Sequence, residues 1–163
     1  MMVKEYNRNK AIEYARKWAY KRNPKYYNFD NVGGDCTSFV SQCIYAGAGV
    51  MNYKKYIGWY YNSSVDRTAS WSGVEYLYDF LTKNKGIGPR ANATNIDELE
   101  KGDIIQLKFF KDKYSHSLII VDKEGNNLDK IYISTHTEDE YYRKVSTYKF
   151  QDIRFLHIIN VGI

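Results

Sequence analysis

Cys36 stands in the stretch NVGGDCTSFVSQCIYAG (31–47), directly after Asp35 and at the start of a run with helical apolar spacing. The first turn of a helix carries partial positive charge and unpaired N–H groups, which favour an anionic group placed there. A cysteine in that turn therefore has its thiolate favoured, and the thiolate is the nucleophile. The competing reading is packing. Cysteine behaves as a small apolar residue, and Cys36 shares a face with Phe39, Val40, Cys43 and Ile44. Cys43 sits mid-helix with no such environment and is expected in the core.

A nucleophilic thiol needs a base, and the base needs an orienting partner. The chain has three histidines, His116, His136 and His157. His116 opens the apolar run HSLIIV, where packing alone would favour a branched aliphatic residue. A hairpin centred near Asn126 puts His116 opposite His136, and directly opposed residues hold their Cβ atoms about 5 Å apart on one face. A slip of one residue would present Thr135 instead. His157 alternates with Leu156 and Ile158 and reads as structural. A Cys–His–His metal site is the other use of these residues, but no close C-x-x-C or H-x-x-x-H pair accompanies it. No metal or cofactor is expected.

The elements that position these groups are a helix over Arg8–Lys21, a helix from Cys36 ended by Gly47, and a helix over Ser72–Lys83. Asp35 is expected to cap the second. Four β-rich runs follow: DIIQLKFF (103–110), HSLIIV (116–121), KIYISTH (130–136) and RFLHIIN (154–160). KGIGPRANAT (85–94) reads as a loop. Helices first and an antiparallel sheet afterwards make an α+β domain, single over residues 1–163.

The 163 residues are 44% hydrophobic, enough for one core, and no apolar run approaches the about eighteen residues of a membrane span. Two cysteines exclude a disulfide-dense scaffold. Seven residues apart on one helix, they lie about 10 Å apart along its axis, beyond the reach of a disulfide. The net charge of +5 is spread along the chain without a recognition-helix pattern, so nucleic acid is not expected as a partner. The N-terminus has no secretory h-region, which fits the cytoplasm for a full-length chain and the wall or exterior for a mature fragment. A monomer is expected.

The ordered set GGDCTSFVSQCIYAG, then Gly58–Trp59 and Ser70–Trp71, then KGDIIQL, HSLIIV and ISTHTED resembles the bacterial "putative amidase domain" family, within the papain-like superfamily of NlpC-type and CHAP cell-wall hydrolases. The segment NPKYYNFDNVGGDC is similar too, and the likeness runs from about Asn7 to Asp139. It implies a papain-like fold, with a nucleophile helix packed on an antiparallel sheet. It places the nucleophile on Cys36, the base on His116 and the third polar residue on His136. Ser134, Thr135 and Asp139 are alternatives for that third role.

The implied chemistry is hydrolysis of an amide in a peptidoglycan peptide through a thioester. The Cys36 N–H would supply one oxyanion donor; the region before it offers Asn28 and Asn31 but no Gln for the second. Gly34, with Gly33, would admit substrate, with Asp35 beside it, and Trp59 and Trp71 would wall a groove. Gly102–Asp103 reads as a structural turn. A non-catalytic wall- or spore-binding module and a thiol acyltransferase are the alternatives.

Overall fold

The computed structural model describes residues 2–110 and 112–163. Helix α1 spans Arg8–Trp18; the Asn7 side chain caps it by accepting from the Lys10 N–H, and Ala11 and Ala15 bury its inner stripe. Helix α2 spans Cys36–Ala48 and is buried along almost its whole length. It does not stop at Gly47. Gly49, at φ +73°, ends it by donating to the Tyr45 carbonyl, the left-handed stop that glycine adopts without steric cost. Gly47 serves a different purpose. A Cβ there would lie 2.7 Å from the Asn7 carbonyl oxygen, so the missing side chain lets the start of α1 cross α2 closely.

The helix expected over 72–83 is two elements, α3 (Ala69–Ser72) and α4 (Val74–Lys83), separated by Gly73 in extended conformation. Strands β1 (Val3–Lys4), β2 (Gly88–Thr94), β3 (Ile104–Lys108), β4 (His116–Lys123), β5 (Ile131–Thr135), β6 (Glu140–Lys144) and β7 (Asp152–Gly162) form one sheet, antiparallel throughout. The order is β1-β7-β3-β4-β5-β6, with β2 also paired to β7. The stretch expected as a loop thus contains β2. The eleven residues of β7 are long enough to pair β2 over Phe155–Gly162 and β3 over Asp152–Leu156.

Alternation along the strands divides the apolar residues between two faces. Ile104, Ile119, Leu156 and Ile158 pack with α1, α2 and α4. Ile105, Leu107, Leu118, Ile120 and Ile133 form a second cluster with Val145. Burial on both faces explains why IIQL and SLIIV are nearly continuous apolar runs. The domain is α+β, and no helix among the described residues is long and apolar enough to cross a membrane.

Candidate functional site

Cys36 is the first residue of α2 and is 6% exposed. Its sulfur lies 3.8 Å from Thr37 Oγ1 and is met by the main-chain N–H groups of Ser117 and Thr37. Burial pushes the thiol pKa up; these three donors offset only part of that, so the net shift is upward. The Ser117 amide is the peptide unit that follows His116, so the α2 terminus is seated against the start of β4. Both cysteines are free thiols, and Cys43 is fully buried in the helix-side core.

His116 opens β4 opposite Leu107 and is 7% exposed. Its ring lies 6.0 Å from those of Phe109 and Tyr148, on the side of the sheet where Leu118 and Ile120 are buried. Burial first, and the Arg143 cation second, push its pKa down to about 4, so the imidazole is neutral at pH 7. Nε2 meets Thr135 Oγ1 at 3.4 Å. The Thr135 hydroxyl hydrogen points to carbonyl acceptors, Ser117 O at 2.9 Å and His136 O at 3.0 Å. Thr135 therefore accepts from the Nε2–H, and Nδ1 keeps its lone pair.

His136 is not opposite His116. β4 and β5 pair Ile119 with Ser134, one residue away from the expected register, and this turns His136 to the helix side of the sheet. There its Nδ1 is 2.6 Å from Asp35 Oδ2, its Nε2 is 2.8 Å from the Trp18 carbonyl, and its ring stacks on Phe39 at 3.9 Å. The ring is thereby held between the Asp35 carboxylate and the Trp18 carbonyl.

The other expected site residues also resolve into structural positions. Asp35 is buried and makes no side-chain cap; Oδ1 accepts from the Phe29 N–H at 2.9 Å, while Oδ2 faces His136 and Arg22. It folds the GGD turn rather than meeting substrate. Gly34 has φ +96°, and a Cβ there would fall 2.9 Å from Thr137 Oγ1, which accepts from the Asp35 N–H. Gly34 thus brings the 136–139 turn onto the turn that precedes α2.

Trp59 and Trp71 are 0% exposed, with ring centroids 5.0 Å apart; Ser41 Oγ accepts from the Trp59 indole N–H and donates to the Trp71 main-chain carbonyl. They are core and wall no groove. Asp139 pairs with Arg22 at 2.9 Å, Ser134 Oγ donates to the Glu140 carbonyl, and Asn28 Oδ1 accepts from the Asp30 N–H. Asp103 is fully buried and accepts from Arg8, His157 and the Ile158 N–H, which makes both Gly102–Asp103 and His157 structural. Among the described residues no group of three His, Cys, Asp or Glu side chains converges as a metal site.

Sequence reasoning passed over Gln106 and Ser117. They are polar residues inside apolar strands, paired across β3 and β4, and both face α2. A buried polar residue at a core position of a strand signals a hydrogen-bond network. A cavity of about 540 Å³ lies elsewhere, among Asn52, Tyr56, Tyr76, Phe80, Lys83 and Asn84.

The domain is α+β, with a buried thiol at the N-terminus of α2 seated against the Ser117 amide of β4, the strand that the neutral imidazole of His116 opens. The chain belongs to the family described as "Putative amidase domain", whose model matches residues 5–159. It is 31% identical over 163 residues to the uncharacterized protein YhbB of Bacillus subtilis, covering 96% of this chain and 51% of that protein. It is 27% identical over 143 residues to the uncharacterized protein YjcM of the same organism, covering 83% and 32%. The chain thus spans about half or less of these curated relatives. No solved structure matches it.

Proposed function

We propose that this domain is a cysteine-dependent amidase or peptidase of papain-like fold that hydrolyses amide bonds in cell-wall peptides. The observation that carries the proposal is the seating of the Cys36 sulfur. Three hydrogen-bond donors surround it, and one of them is the amide that follows His116. Membership of the amidase family supports the reaction class.

In this reading the neutral His116 takes the Cys36 proton on Nδ1 as the sulfur attacks the amide carbonyl. The C–N bond breaks, and the amine leaves with that proton. Water, deprotonated by His116, then opens the thioester to a carboxylate and the free thiol. The Cys36 N–H at the head of α2 stabilises the oxyanion. Thr135, not His136, fixes the His116 tautomer.

A second reading, a wall-binding module without turnover, draws on the burial of both groups, 6% for Cys36 and 7% for His116. Incubation with purified peptidoglycan separates the two. Release of new amino groups by the wild type and by Cys43→Ala, and none by Cys36→Ala, is the hydrolase result. Co-sedimentation with the wall by wild type and Cys36→Ala alike, without release, is the binding result and overturns the hydrolase.

A further inference from the structure

We infer that Arg154, Gln106, Ser117 and Thr37 are positioning residues that form a one-directional hydrogen-bond chain ending on the Cys36 sulfur, delivering a donor to the thiolate from a fixed cation two strands away on the same face of the sheet. This rests on the reading of Cys36 as the nucleophile.

The direction follows from which groups can donate. Arg154 can only donate, and its Nε and Nη2 reach Gln106 Oε1 at 2.9 and 2.6 Å. That fixes the orientation of the amide. Gln106 Nε2 then donates to the Val74 carbonyl at 3.0 Å, an acceptor only, and to Ser117 Oγ at 3.2 Å. With its oxygen occupied, Ser117 turns its own hydrogen to Thr37 Oγ1 at 2.9 Å. The Thr37 hydrogen is left for Cys36 Sγ at 3.8 Å.

Thr37, Gln106 and Ser117 are buried, so no water competes for these groups. Burial also lets each bond polarise the next. The cation at the origin is itself immobilised. Arg154 is held by Glu75 at 2.9 Å and lies between the rings of Tyr78 and Tyr114, at 3.7 and 3.9 Å from their centroids. Elements β7, β3, β4 and α2 each contribute one residue, so docking of the helix on the sheet and readiness of the sulfur are one event.

The test is the pH dependence of Cys36 alkylation by iodoacetamide, mapped by mass spectrometry. Thr37→Val should move the midpoint up by about one pH unit, a tenfold loss of thiolate at fixed pH. Thr37→Ser should keep the wild-type midpoint. Gln106→Leu, which does not touch the sulfur, should move it in the same direction by less. Circular dichroism establishes that each variant is folded. Should Gln106→Leu prove unfolded, Ser117→Ala takes its place.

Midpoints unmoved in folded Thr37→Val and Gln106→Leu, or moved equally by Thr37→Ser and Thr37→Val, overturn the chain. These outcomes are independent of wall cleavage. Loss of the hydrolase reading shows as wall co-sedimentation without release of amino groups, whereas loss of the chain shows only in the alkylation midpoints.

Discussion

Thr135 Oγ1 lies 3.4 Å from His116 Nε2, while His136, one residue further along the chain, faces the opposite side of the sheet and pairs with Asp35. Period-two alternation in a strand allows only one of two adjacent residues to reach the imidazole. Thr135→Val removes the acceptor that holds the Nε2–H tautomer and should lower turnover by on the order of tenfold. Thr135→Ser should restore it, with KM unchanged in both. Equal turnover in Thr135→Val and the wild type would remove Thr135 from the account.

The low pKa of His116 links the site to acid stability. An ordinary histidine titrates near 6.5, and this one near 4 in the folded chain. Between those values the unfolded chain binds a proton that the folded chain does not. Stability from this group is therefore complete above pH 6.5 and is lost as pH falls toward 4. The loss is on the order of 3 kcal/mol. Denaturant unfolding at pH 7 and pH 4.5, for wild type and His116→Gln, isolates it. The wild type should lose more stability than the variant over that interval, and equal losses would contradict the assignment. The acid limb of turnover should fall near pH 4 for the same reason.

His136 and Asp35 hold the turn before α2, away from His116. Removing one partner of a buried hydrogen bond and leaving the other unsatisfied typically costs about 1–3 kcal/mol. His136→Ala should therefore lower the free energy of unfolding by about that amount, measured by urea denaturation. The pH profile of turnover should keep its shape at a temperature where the variant stays folded. A displaced acid limb in His136→Ala would return His136 to the triad expected from the motif.

The α+β class and the placement of Cys36 and His116 were legible in the sequence because each rests on local pattern: GGD before a helical apolar face, and a histidine opening an apolar strand. Register was not legible. A bulge between Ile120 and Asp122 and a short helical turn at Leu128–Lys130 lie between His116 and His136, and no local signal fixes the offset they produce. Strand β2 was hidden because Gly88 and Pro89 are poor strand formers, and its pairing is supplied by the distant β7. Trp59 and Trp71 carry the same letters whether they wall a groove or fill a core; only the helices packed over them decide. The Gln106–Ser117 pair was visible as polar residues in apolar strands, but its meaning depends on Thr37 and Arg154, far away in the chain.

p-Nitrophenyl acetate tests attack of Cys36 on acyl carbon, with His116 as its base, without knowledge of the natural substrate. A single acetyl group on Cys36, located by mass spectrometry of the quenched reaction, is expected, with nitrophenol release exceeding one equivalent. Cys36→Ala should carry no acetyl on that peptide, and His116→Ala should lose turnover. Acetylation confined to lysines, or nitrophenol release at the wild-type rate in Cys36→Ala, would contradict the claim.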